Sequence, residues 1–169
     1  MSKNTRFLTH AAVIAALYAV LTHLQNVLLP GSTTWAIQMR LSEALCVLSF
    51  FTPAAIPGLT VGCLVFNTPY AAALPLDFLV GSLATLLAAG GMWLTRRVTV
   101  KGYPLVGMAM PALFNALLVG GDLSECIGGG FFLNALYVAL GELAVLLTFG
   151  TVLFYAVKKR HLDTKVFSA

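Results

Sequence analysis

Charge is what this chain has least of. Of 169 residues only 9% are Asp, Glu, Lys or Arg, against 59% hydrophobic, and the mean hydropathy is +0.91. A water-soluble domain of this size buries about 70% of its unfolded surface and must cover the rest with polar groups, which are too few here. The composition therefore predicts an integral membrane protein. Cysteine is also scarce: Cys46, Cys63 and Cys126 fall in separate segments without a CxxC pair, which excludes a disulfide framework or a zinc site and leaves them as small apolar residues. There is no GxxxxGK[ST] phosphate loop, no His/Cys cluster, and no Ser-His-Asp set that spacing alone assembles. The sequence thus names no cofactor, no metal, no catalytic group and no energy source of its own. It shows no internal repeat, low-complexity tract or second domain, so residues 1–169 are read as one unit.

What charge there is follows a pattern. The net charge is +4, but the basic residues sit at "SKNTR", "RRVTVK" and "KKRHLDTK", each flanking an apolar segment, as in cytoplasmic loops under the positive-inside rule. Nucleic acid is therefore not the expected partner. Only Arg40 lies outside these clusters. The positive start "MSKNTR" leads into an apolar run to Leu29 without a small-residue cleavage site, and is read as a first membrane span. A bilayer needs roughly 20 apolar residues per helix, which segments 7–29, 75–95, 103–121 and 129–157 supply. Segment 41–66 is too long for one span and carries "TPAAIPG" in its middle, where proline ends or kinks a helix. One crossing there would put seven of nine clustered basic residues on the outer side; two crossings put all nine inside. The expectation is an all-α bundle of six transmembrane helices with N- and C-termini cytoplasmic, the second and third helices being short at about 15 residues against the usual ~20.

Ionisable groups at membrane depth cost at least about 2.5–3.5 kcal/mol each at a helix centre, so they are candidates for function. Arg40 and Glu43 stand at the outer end of the second segment, Asp77 begins the fourth, and Glu142 lies within the sixth. Gln38, Asn67, Asn115 and Asn134 add neutral polar groups, and Trp35 is an aromatic that could stack on a planar ligand. These residues from separate segments suggest a pocket opening outward. Arg40 and Glu43 also fit a local ion pair, Asp77 the positive end of its helix, Glu142 an interhelical hydrogen bond, and Trp35 a belt aromatic. His10 and His23 read as interfacial. In the first segment Ala11, Ala15 and Ala19 recur every four residues, doubled by Ala12 and Ala16; small residues so spaced admit another helix closely, either within the bundle or as a docking face for a different membrane subunit.

The stretch "AIQMRLSEAL" followed by "FFTPAAIPGLTVGCLVFN" closely resembles the QueT family of queuosine-precursor transporters. The specific part is Gln38, Arg40, Ser42 and Glu43, then Pro53, Pro57 and Gly58, then Gly62, Cys63 and Asn67. The resemblance implies the substrate-binding S-component of an energy-coupling factor (ECF) transporter in a prokaryotic cell membrane. It further implies six helices, cytoplasmic termini, an outward pocket capped by the first outer loop, and whole-subunit toppling during transport. The implied partners are a small-molecule substrate, membrane lipid, the ECF transmembrane coupling subunit (EcfT) and two ATPase subunits. The implied substrate is a 7-deazaguanine base such as queuine. Its adjacent N–H donors would meet Glu43 or Glu142, its carbonyl Arg40, Gln38 or an asparagine, and a cationic side-chain amine Asp77, with Trp35 or Tyr137 stacked on the ring. The competing readings are an S-component for another vitamin, a membrane enzyme with Glu43 or Glu142 as general base, and a purely structural subunit.

Overall fold

The computed structural model describes residues 2–32, 39–70, 77–126 and 128–167. The chain is all-helical across them. Helix α1 (Lys3–Leu28) is followed by a 3₁₀ helix (Leu41–Phe50), α2 (Ala55–Asn67) and α3 (Asp77–Thr95). A short turn α4 (Leu105–Met108) leads into α5 (Met110–Cys126), then α6 (Phe131–Val145), a π-helical turn (Leu146–Gly150), α7 (Thr151–Lys159) and the terminal turn α8 (Leu162–Lys165). Four of these stretches are long and apolar enough to cross a membrane, namely Lys3–Leu28, Phe78–Thr95, Leu105–Cys126 and Phe131–Lys159. They correspond to the four long apolar segments of the sequence. Leu8, Val20, Val27, Phe132 and Val152 are among many large apolar side chains left exposed around the bundle, as a lipid-facing surface requires.

The remaining apolar helices, Leu41–Phe50 and Ala55–Asn67, are shorter. The first is 3₁₀ throughout its 10 residues, although such runs seldom exceed three or four. At about 2.0 Å per residue it nevertheless rises about 20 Å, matching the 13-residue α2 at 1.5 Å per residue. Eight of its ten residues are buried, because α1, α2, α3 and the final helix enclose it.

Close helix approach is built from small residues. A Cβ on Gly58 would lie 2.7 Å from the Ala11 carbonyl oxygen, and one on Gly62 would lie 2.8 Å from that of Ala15. This divides the alanine stripe. Ala11, Ala15 and Ala19 are half-buried along the seam with α2, whereas Ala12 and Ala16 remain exposed. Gly120 meets the Ala135 backbone in the same way, where a Cβ would come within 2.7 Å of Ala135 Cα, drawing α5 and α6 into an antiparallel pair.

The two chain ends meet. Arg6 Nη2 donates to the Val166 carbonyl (3.0 Å), and the His10 ring contacts the Phe167 ring edge-on, 5.7 Å between centroids. Thr52 and Pro53, between the 3₁₀ helix and α2, border the same cavity as Lys3 and Arg6. An aromatic cluster of Phe50, Phe51, Tyr103, Phe154 and Tyr155, with Lys158 over the Phe154 ring at 4.6 Å, knits the 3₁₀ helix, the 96–104 loop and α7 together.

Candidate functional site

Three residues per turn make positions i and i+3 eclipse. Arg40, Glu43, Cys46 and Ser49 therefore fall in one row on the 3₁₀ helix, a polar face on an otherwise apolar element. All four are buried; Glu43 is 1% exposed and Arg40 5%. The Glu43 carboxylate accepts from the Tyr18 hydroxyl at one oxygen and from Cys46 Sγ (3.0 Å) at the other. Its bonds thus come from α1 and from the next turn, not from the local pair with Arg40 that the spacing offered. Arg40 points toward α2, with Nη1 3.9 Å from Cys63 Sγ and its guanidinium 5.9 Å from the Phe66 ring centroid. Asn67 Nδ2 donates to the same Cys63 sulfur (3.5 Å).

Cys46 and Cys63 are therefore not merely small apolar filler. Each sulfur is bonded within the polar cluster, and Cys126 alone is exposed.

Glu142 of α6 is 3% exposed and lies close enough to Glu43 and Arg40 for their charges to interact. Among the described residues its Oε2 has no hydrogen-bond partner, and neither has Asn115 Nδ2 on α5. Because Gly120 faces Ala135 in the antiparallel pair, Asn115 is level with about residue 140, within a turn of Glu142. One atom requires a donor and the other an acceptor, and leaving such buried groups unmade costs about 1–3 kcal/mol each. A π turn begins four residues after Glu142, a distortion frequent at functional sites.

The other sequence candidates divide. Asn134 is buried but turns back on its own loop, where Nδ2 donates to the Gly128 carbonyl (2.8 Å). Tyr137 is half-buried one turn further along α6. Trp35 and Gln38 lie outside the described residues, as does the side chain of Asp77.

Sequence reading missed the α1 side of the cluster. Thr22 Oγ1 lies 2.6 Å from Ser42 Oγ and 2.7 Å from the Tyr18 carbonyl. Gln25 Nε2 donates to the Met39 carbonyl and to Ser32 Oγ (3.0 Å), while its Oε1 accepts from the Leu41 amide (2.8 Å). Tyr18, Thr22 and Gln25, spaced i, i+4, i+7, form the buried face of α1 together with Ile14. That spacing was a readable signal, since neutral polar residues recurring on one face of a span point inward.

Five elements thus direct charged and hydrogen-bonding groups into one buried region, where, among the described residues, Glu142 Oε2, Asn115 Nδ2 and Ser49 Oγ are still open. A family model described as the QueT transporter matches residues 8–159. The chain belongs to the QueT transporter family. It is accordingly a membrane transporter protein for a small molecule rather than an enzyme. No curated protein and no solved structure matches it in the comparisons made.

Proposed function

We propose that this QueT family member is the S-component of an ECF-type importer in a prokaryotic cell membrane, capturing a 7-deazaguanine queuosine precursor such as queuine from outside for ATP-driven uptake. The observation that carries the substrate reading is the open pair at the centre of the cluster, Glu142 Oε2 and Asn115 Nδ2. A guanine-like edge offers the carboxylate its N–H donors and the amide a ring carbonyl. Arg40 supplies a further donor to that carbonyl. Glu43, committed to Tyr18 and Cys46, holds the charge balance around Arg40. The roles left to Trp35, Gln38 and Asp77 are those the family resemblance implies: Trp35 and Gln38 in a cap over the substrate, and Asp77 as partner to the cationic amine of a precursor that has one.

In this reading the 3₁₀ helix and α2 are the second and third of six crossings, turning at "TPAAIPG". The meeting of Arg6 with Val166 and of Lys3 with Thr52 and Pro53 around one cavity supports it, because an even number of crossings returns both termini and that turn to one side. The basic clusters assign that side to the cytoplasm. The flank of α1 at Ala12, joined to Ala11, Ala15, Pro57, Gly58 and Val61 by a groove of about 270 Å³, with exposed Ala16 one turn on, is the face for the transmembrane coupling subunit (EcfT), which works with two ATPase subunits. Membrane lipid covers the rest.

Fluorescence titration of the purified protein tests the substrate, with Trp35 and Trp93 as reporters. The panel is queuine, its earlier deazaguanine precursors, guanine, riboflavin and thiamine. Saturable binding confined to deazaguanines is the expected result. Binding of another vitamin would replace the substrate but keep the S-component, and no binding in demonstrably folded protein would overturn the pocket.

A further inference from the structure

A second cavity, of about 210 Å³, opens at the start of α1. Lys3, Arg6 and His10 line it together with Phe7, Phe167 and the Thr52–Pro53 turn, and no Asp or Glu is among its described lining residues. It stands apart from the polar cluster: Lys3 and Tyr18 are 15 residues apart on one helix, about 22 Å at 1.5 Å per residue. The C-terminal tail forms one wall, held by the Arg6 bond to the Val166 carbonyl and by the edge contact of Phe167 with His10. Arg6 spends one N–H on that carbonyl, and a guanidinium carries five. The apolar run of α1 begins at Phe7, so the cations stand where hydrocarbon gives way to headgroups, and Leu8, 65% exposed, offers an apolar surface directly beside them.

We infer that this cavity binds the phosphate of an anionic glycerophospholipid, with Lys3, Arg6 and His10 as donors to its oxygens and Phe7 and Leu8 beside its acyl chains. The chemistry is that of a basic pocket between helices at the membrane surface. The two non-bridging oxygens of a phosphodiester, each able to accept more than one hydrogen bond, suit a cavity lined by Lys3, Arg6 and His10, which lie along two turns of α1 at the level of the headgroups. Through Phe167 and Val166 the bound headgroup also fastens the C-terminal tail to the first helix. The site is independent of the transported substrate.

Native mass spectrometry of the full chain released from detergent containing equal phosphatidylglycerol and phosphatidylcholine tests this. One saturable phosphatidylglycerol adduct is expected, weakened at least about tenfold in the Lys3→Gln/Arg6→Gln double variant, as the loss of two surface cations implies. The charge-conserving Lys3→Arg/Arg6→Lys variant should retain the adduct. Arg97→Gln/Lys101→Gln, which removes the same charge elsewhere, should leave it unchanged. Millimolar inorganic phosphate or glycerol 3-phosphate distinguishes the source. Displacement of the lipid by either means the site reads a phosphate from solution, and persistence means it holds the headgroup with its chains. Equal binding of both lipids, or equal loss in the Arg97/Lys101 control, would overturn the site.

Discussion

Gln25 holds the chain on both sides of Arg40. Its amide nitrogen donates to the carbonyl of Met39 and its oxygen accepts from the amide of Leu41, so one side chain of α1 sets the backbone that carries the guanidinium. A third bond reaches Ser32, drawing both ends of the connection between α1 and the 3₁₀ helix to the same helix. Arg40 is buried against Cys63 and Phe66, and its direction depends on this clamp.

Gln25→Ala should therefore weaken ligand binding about tenfold while lowering stability by about 1–3 kcal/mol, three hydrogen bonds being worth about 0.5–1.5 kcal/mol each before compensation by water. Titration and thermal unfolding of the same detergent preparation separate the two effects. Unchanged affinity with reduced stability would remove Gln25 from the positioning of Arg40.

Glu142→Gln should move binding and stability in opposite directions. It loses about 1–3 kcal/mol of ligand affinity by presenting a donor to a donor. It leaves the unliganded protein as stable as before or more so, since a buried carboxylate close to that of Glu43 is replaced by a neutral amide. A variant that binds normally would place the ligand elsewhere.

Tyr18→Phe removes one of the two donors to Glu43. It should cost about 1–3 kcal/mol in unfolding free energy, the range for leaving a buried charged acceptor short of a partner. Thermal unfolding with and without ligand checks this, and a loss below about 0.5 kcal/mol would mean that the bond contributes little.

Gly62→Ala places a methyl group 2.8 Å from both the Ala15 carbonyl oxygen and Tyr18 Cβ. Because the first contact is backbone, α1 and α2 must separate, at a cost of about 1–3 kcal/mol. Gly90→Ala, where an added Cβ meets nothing within 4 Å, is the control and should be neutral or mildly stabilising through helix propensity.

The class of the protein was legible in the sequence by itself. Four long apolar segments become four helices able to cross a membrane, because a run of about 20 apolar residues has few other fates. Arg40, Glu43 and Glu142 stood out for the same reason, since charge at that depth is too costly to be idle. Only the tertiary structure decided which groups meet. The 3₁₀ winding of Leu41–Phe50 follows from enclosure on every side, not from local propensity, and its three-residue turn is what aligns Cys46 and Ser49 with Arg40 and Glu43. Asn134, a pocket candidate by position, is tied to its own loop by a bond from its amide to the Gly128 carbonyl. Tyr18, Thr22 and Gln25 look unremarkable in an apolar span until α1 is set against the 3₁₀ helix. Composition determines where a chain can reside, whereas hydrogen bonds across helices depend on ångström-scale approach, which Gly58 and Gly62 permit against Ala11 and Ala15.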